Sequence, residues 1–251
     1  MENDPGPLTA LLLRILSPLM SHRPAIALIV PLFLLAACEP SATSTGAGAE
    51  TPSSPTTQAS ANDQWVKEAA WRQPELLWTL IPNVAGTTVA NLFAGDGYYA
   101  FELVKAGARV IAIEQDAGLA EQIKQRAKAQ GISPDVLEVR LVEQGTGLKP
   151  GEADMAFCAK SYVTIPDRLN YLREVRSALK TPAPLILVDF MAAETPVGPP
   201  MQDRISDQAV MDEMELLGCT DIGAYGKKLP YQWVVIAMDF VADPNESEPA
   251  L

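Results

Sequence analysis

The chain has 251 residues, 48% hydrophobic and 20% charged, with a net charge of −12. That length allows one good-sized domain with something left over. The acidic balance repels phosphate backbones and argues against a nucleic-acid partner. The one histidine, His22, lies close to the N-terminus, so histidine acid–base catalysis and histidine-ligated metal sites are excluded from the rest of the chain, and no metal site is expected.

The N-terminal remainder has a recognisable order. Ala25 to Ala37 is a 13-residue apolar run, preceded by Ser21-His22-Arg23-Pro24 and followed at once by Cys38. As a helix this run reaches only ~20 Å, short of the roughly 30 Å hydrocarbon core, so a cleaved secretory signal fits it better than a membrane span. Leu35-Ala36-Ala37-Cys38 resembles a lipobox, the pattern at which bacteria acylate the cysteine and cleave before it. The expectation is a signal peptide over 1–37, with Met20 as an alternative start, and a protein held to membrane lipid through acylated Cys38. Glu39 follows the cysteine where an aspartate commonly signals inner-membrane retention, which points to the periplasmic face of the outer membrane. Segment 1–38 carries two acids and two bases, so the net charge of −12 belongs to the remainder.

Glu39 to Asn62 is rich in Ser, Thr, Pro, Ala and Gly, with no aromatic or large aliphatic residue to bury. With Cys38 it reads as a disordered tether over 38–62, reaching roughly 25 to 30 Å. A folded domain is expected over 63–245 and a disordered tail over 246–251.

Within the domain, apolar runs alternate with helix-period segments, the pattern of a mostly parallel α/β sheet with crossover helices. Trp65, Trp71 and Trp78 mark an N-terminal helical face packing onto the sheet. Thr88–Phe93 is the first strand. It ends in the turn Gly95-Asp96-Gly97 and a helix to about Ala106, in which Tyr98 and Tyr99 are expected in the core. Arg109–Glu114 is the second strand. Asp116 caps the next helix, with Leu119, Ile123 and Ala127 on one face and Gly131 at its exit. Val136–Val142 and Ala153–Ala159 are the third and fourth strands. Pro166 opens a helix burying Leu169, Leu172, Val175 and Leu179, and Pro184–Phe190 is the fifth strand. A Pro-rich loop leads to a helix near Ser206 and to closing strands near 220–223 and 231–240. Cys158 and Cys219 remain as a pair that could be free or bonded.

A strand, a glycine turn, a helix N-terminus and an acid at the end of the next strand make a nucleotide site. Glycine lets the backbone approach a ligand with no Cβ in the way, the helix offers free amides, and Glu114 can accept both hydroxyls of a ribose. Taken alone, Gly95-x-Gly97-x-x-Ala100 fits a nicotinamide-binding fold nearly as well.

The chain resembles the class I S-adenosylmethionine-dependent methyltransferases, and more narrowly a group of secreted bacterial methyltransferase-like lipoproteins. The resemblance is carried by Arg72-Gln73-Pro74-Glu75-Leu76-Leu77, Asn91-Leu92-Phe93-Ala94-Gly95-Asp96-Gly97-Tyr98-Tyr99 and Ile165-Pro166-Asp167-Arg168. It continues in Val188-Asp189-Phe190, Pro196-Val197-Gly198-Pro199-Pro200 and Leu229-Pro230-Tyr231-Gln232-Trp233.

It implies a Rossmann-like sheet of seven strands with helices on both faces and an antiparallel last strand. It also implies S-adenosylmethionine over the first strands and a small-molecule methyl acceptor. Ala94, Gly95 and Gly97 would pack against the amino-acid part of the cofactor, Glu114 would take the ribose, and Glu143 the adenine amino group. Position 91 usually carries an acid; Asn91 keeps an acceptor oxygen but supplies no charge. Lys160-Ser161-Tyr162 follows the fourth strand where substrate-facing groups sit, with Tyr162 the leading candidate and packing its alternative. Asp189, at the ligand edge, is either catalytic or a structural cap. Methyl transfer needs neither metal nor histidine, because alignment in a dry pocket supplies much of the rate. The alternative function is a non-catalytic methyltransferase-like lipoprotein that binds a ligand or an envelope partner, since the cofactor is made in the cytosol.

Overall fold

The computed structural model describes residues 56–238, with side chains from residue 63. The signal segment, Cys38, most of the expected tether and the tail lie outside these residues.

Two helices precede the sheet, α1 (Thr56–Arg72) and α2 (Pro74–Leu80). Helix α1 begins inside the segment read as a tether, so 56–62 are helical. Thr56-Thr57-Gln58-Ala59-Ser60-Ala61 contains no Gly or Pro to stop a helix that packing holds further on. The two helices are separate because Gln73 takes a left-handed φ of 43° just before Pro74, which opens α2.

The chain then alternates β1 (Thr88–Leu92), α3 (Tyr98–Lys105), β2 (Arg109–Glu114), α4 (Ala117–Ala129), β3 (Leu137–Leu141) and β4 (Met155–Ala159). It continues through α5 (Arg168–Ser177), β5 (Leu185–Phe190), α6 (Asp207–Leu216), β6 (Asp221–Ala224) and β7 (Gln232–Met238). Helix α4 begins as its sequence dictates, with the Asp116 side chain accepting from the Leu119 amide at 2.8 Å. Helix α6 is capped in the same way by Ser206. Helix α5 starts two residues later than Pro166 suggests. A short 3-10 turn, Tyr162–Thr164, comes first, and Asp167 sits at φ 43°, so the regular helix opens at Arg168.

The seven strands form one sheet in the order β3-β2-β1-β4-β5-β7-β6. Strands β1 to β5 pair in parallel, and β7 runs antiparallel to both β5 and β6. Alternation along the strands feeds two cores. Val89, Val110 and Ala112 pack with Leu77, Leu103 and Ile123 on the face covered by α2, α3 and α4. Ala90, Ile111 and Ile113 pack with Leu172, Val175, Val210 and Met214 on the face covered by α5 and α6. Connections run one way from β1 to β2 and β3, and the other way to β4 and β5. The topological switch point therefore falls between β1 and β4, where open α/β sheets bind ligands. Cys158 and Cys219 are both free and buried.

Candidate active site

A cavity of about 790 Å³ opens at that switch point, a size suited to a small-molecule site. Its floor is the carboxyl end of β1 and β4: Asn91, Phe93, Ala94, Gly95 and Asp96 from one, Ala159, Lys160 and Ser161 from the other. Helix α1 roofs it with Gln64, Lys67, Glu68 and Trp71, and the loop after β5 closes it with Val197, Gly198 and Pro199.

Two glycines shape the turn. Gly95 has φ +60°, and a Cβ there would meet only the Phe93 carbonyl at 4.0 Å, so the backbone is open on its ligand side. Gly97 has φ +83°, and a Cβ there would come within 2.9 Å of Ile123 Cγ1 and 3.2 Å of Phe101. It is glycine because α3 and α4 close on it. Phe93 and Lys160 also sit in left-handed conformations, φ 50° and 63°, at the ends of neighbouring strands. For residues with a Cβ this costs about 1 to 2 kcal/mol each, and such strain concentrates at functional sites.

Asn91 is buried at 2% exposure. Its Nδ2 donates to the Phe157 carbonyl at 3.4 Å, while the buried Oδ1 has no hydrogen-bond partner, and the residue is one of those that line the cavity. A buried acceptor left open in this way is a place for a donor on a ligand. Asp96 organises the mouth: Oδ2 accepts from Trp65 Nε1 at 2.7 Å and Oδ1 from the Tyr98 amide at 3.2 Å. Arg126 of α4 stacks over the Trp65 ring at 3.7 Å, so α1 is pinned from two elements. Arg72, 1% exposed, pairs with Glu68 and lies 3.9 Å over the Tyr98 ring.

Lys160 borders the cavity and keeps accessible surface there. The protein atoms crowded round it push its ammonium down to about 8, and Arg72 pushes the same way, while Asp96 and Asp189 oppose them. Tyr99 lines the cavity and is otherwise buried in the core; burial raises its hydroxyl to about 12.

The other expected site residues fall elsewhere. Gly97 is buried under α3 and α4 rather than lining the cavity. Glu114 is 6% exposed, with its carboxylate held by backbone: Oε2 accepts from Gly95 at 2.6 Å, and Oε1 from Gln115 and Asp116 at 2.8 and 2.9 Å. It braces the glycine turn from below. Glu143 is exposed just beyond β3 and is not among the cavity residues. Tyr162 is fully buried, its hydroxyl bonded to Glu213, which also receives Arg168, and its ring packs edge-on to Trp233. Its place agrees with the packing alternative, because the 3-10 turn carries it under α6 while Lys160 and Ser161 stay at the cavity. Asp189 is 5% exposed and accepts from the Phe190 amide at 2.8 Å. Burial raises its carboxyl to about 6. It stands behind the cavity wall beside Lys160, as a brace to the strand end.

Sequence reasoning missed the roof. Of the three tryptophans read as a packing face, Trp65 and Trp78 pack on the core, but Trp71 lines the cavity, its ring 5.3 Å from Phe190. Arg72, at the head of the quoted Arg72-Gln73-Pro74 segment, was the available signal that this helix end matters.

A family model described as a methyltransferase domain matches residues 89–182, a span holding the glycine turn, Glu114 and the β4 end. Among solved structures, a SAM-dependent methyltransferase from Aquifex aeolicus is 24% identical with a TM-score of 0.62, covering 68% of this chain and 92% of that one. Geranyl diphosphate C-methyltransferase from Streptomyces coelicolor is 15% identical with a TM-score of 0.54, covering 68% of this chain and 79% of that one. The [4+2]-cyclase SpnF shares the fold too, at 13% identity and a TM-score of 0.57, covering 69% of this chain and 83% of that one. No curated protein matches the chain. These likenesses establish the methyltransferase fold, while the reaction has to be argued from the site.

Proposed function

From a chain whose sheet and glycine turn are those of the class I methyltransferases, we propose S-adenosylmethionine-dependent methyl transfer to a small-molecule acceptor, by a lipoprotein tethered through Cys38 to the periplasmic face of the outer membrane. The cofactor of this fold is S-adenosylmethionine, and the residues present suit it. The observation that carries the reading is the cradle at the switch point: an open Gly95 backbone and the buried Asn91 with its unpartnered Oδ1, both in the floor of a cavity large enough for a second molecule. When bound, S-adenosylmethionine supplies a methyl group on a positively charged sulfur. Asn91 and the amides of the turn would hold its amino-acid part. Trp71, Phe93, Tyr99 and Phe190 exclude water from the reacting centre, and α1 keeps the roof in place. The tether reading rests on the Leu35-Ala36-Ala37-Cys38 segment and the Ser/Thr/Pro-rich stretch after it.

Calorimetric titration of the full chain in detergent tests the first part. Micromolar binding of S-adenosylmethionine and S-adenosylhomocysteine, weakened by Asn91→Ala, is expected; absence of binding to either overturns it. Cys38→Ala tests the tether, with loss of acylation and of the processed size expected; unchanged processed size and membrane association overturn it. A second reading, a binding protein without catalysis, is favoured by the Glu114 carboxylate, whose oxygens are already taken by three amides. Cofactor-independent capture of a ligand by the cavity, with no methyl transfer to any acceptor, would select it.

A further inference from the structure

We infer that Lys160 is the catalytic base for this cavity and that its acceptor is a phenol, packed against the aromatic wall with its hydroxyl at Lys160 Nζ. The inference rests on the methyl-transfer reading above.

Three observations support it. First, Lys160 and Phe93 leave adjacent strand ends in left-handed conformations and both line the cavity, while the Lys160 amide still donates to Val188 O at 2.8 Å. Pairing therefore continues up to Lys160, and the chain is distorted at the residue that meets the ligand space.

Second, the other ionisable groups that face Lys160 are committed. Asp96 is bonded to Trp65 and Tyr98, Glu68 to Arg72, and Asp189 to the Phe190 amide. Arg72, stacked on Tyr98, is a fixed cation, and Lys67 lies in the roof. The described residues contain no histidine. Lys160 forms no salt bridge among them, and its crowded setting brings the ammonium within reach of neutral pH, so a share of it is free amine able to take a proton.

Third, part of the cavity lining is aromatic. Trp71 and Phe190 stand 5.3 Å apart with planes tilted 39°, and Phe93 and Tyr99 also line the cavity. A planar ring gains offset and edge contacts there. Competing acceptors fit less well. A protonated amine has no lone pair to receive the methyl group, an aliphatic alcohol is too weak an acid for this base, and a carboxylate needs no base. The balance is simple. As the phenolic oxygen bonds to the methyl carbon, its proton passes to Lys160 Nζ, and the electron pair of the broken carbon–sulfur bond stays on sulfur as a neutral thioether. The ammonium then loses its proton to water at the open side.

The test uses the full chain in detergent and p-nitrophenol as a coloured probe, first without cofactor. Binding to the unaltered protein should turn the probe to its phenolate colour at a pH where the free compound is colourless, because the Lys160 ammonium beside the hydroxyl stabilises the phenolate while the phenol proton passes to buffer. Lys160→Met should bind it without the colour change. Lys160→Gly, which suits the positive φ, guards against a folding failure. With S-adenosylmethionine added, Lys160→Met should lose about 100-fold in rate toward unsubstituted phenol. It should lose little toward nitrophenol already ionised at the assay pH. The rate of the unaltered protein toward phenol should rise with pH and level off above about 8, and this rise should vanish in Lys160→Met. Overturning results are an equal colour change in the variants, equal losses toward both phenols, no binding of either phenol, or loss of S-adenosylhomocysteine binding on Lys160→Met, which would put the lysine in the cofactor site. Failure of the unaltered protein to bind S-adenosylhomocysteine would sink the methyl-transfer reading instead, and the colour change would report on Lys160 independently.

Discussion

At the β1 and β4 ends the sheet edge is roofed and walled. Helix α1 lies over it, pinned by Trp65 to Asp96 and by Arg126 to Trp65, and the cavity beneath already has its floor acceptor, its lysine and its aromatic side. At the β2 and β3 ends the same edge is bare: Glu114 is turned onto three of its neighbours' amides and Glu143 stands in solvent. The difference separates preorganisation from later fit. The half that would hold the methionine end and the acceptor is formed in advance. The half that would hold ribose and adenine must either exchange Glu114's backbone bonds for ligand hydroxyls or share them.

Removing the roof breaks the comparison most directly. Trp65→Ala deletes the bond to Asp96, the edge contact with Tyr98 at 5.5 Å and the Arg126 stack. A loss of about 3 kcal/mol is expected for a large aromatic of this kind, read as a lowered denaturant midpoint. Affinity for S-adenosylhomocysteine should fall with it. Unchanged affinity at reduced stability would mean that α1 holds the fold but not the site.

Glu114→Ala tests the bare half. It leaves three amides without their carboxylate, and a loss of about 2 kcal/mol in stability is expected from charge-assisted bonds of this type. Glu114→Gln separates the roles, because it keeps an acceptor for the Gly95 amide. A glutamine variant that recovers most of the stability while staying weak for S-adenosylhomocysteine assigns the carboxylate to the ribose. Recovery of both assigns it to the turn alone.

Asp189 sharpens the finished half through pH. Burial raises its carboxyl from the ordinary 3.8 to about 6, so the folded state favours the neutral acid. That preference supports the fold fully below about pH 4 and is lost as pH rises through about 6. Asp189→Asn keeps an acceptor for the Phe190 amide without the charge. Its stability relative to the unaltered protein should therefore be greater at pH 8 than at pH 4, by roughly 2 kcal/mol, read from denaturant unfolding at the two pH values. A gap that does not change with pH would show that Asp189 is ionised in the fold across this range.

What could be read before the structure was known follows the same division. Strand positions, the Asp116 cap and the Gly95-Asp96-Gly97 turn are written in local chemistry, period and turn residues, and Arg109–Glu114 appears with the same ends in sequence and structure. Contacts made across long separations are not written locally. Nothing near Tyr162 announces that Glu213, 51 residues on, will hold its hydroxyl inside the core. Nothing near Trp71 announces that Phe190 will meet it across the cavity. Lys160 was placed at the right strand end because β4 was, but its commitment to the cavity depends on a backbone φ of 63°, which a lysine does not advertise. Residue types with a fixed local preference were legible, and residues whose role depends on which distant element arrives were not.

The smallest effect expected is the most useful for the bare half. Glu143 is exposed beyond the edge strand β3, so Glu143→Ala should change stability by less than about 0.5 kcal/mol. If the ligand completes this half by drawing Glu143 onto the adenine amino group, one solvent-competed hydrogen bond is at stake, and S-adenosylhomocysteine should bind about 2- to 10-fold more weakly to the variant. Calorimetry resolves that range, and the control is built in, because an adenine analogue lacking the amino group should bind both proteins equally. An identical loss with both ligands would mean the carboxylate acts through the general field of this acidic surface. In that case the adenine would be held by packing at the β3 edge, and the bare half would remain open with ligand bound.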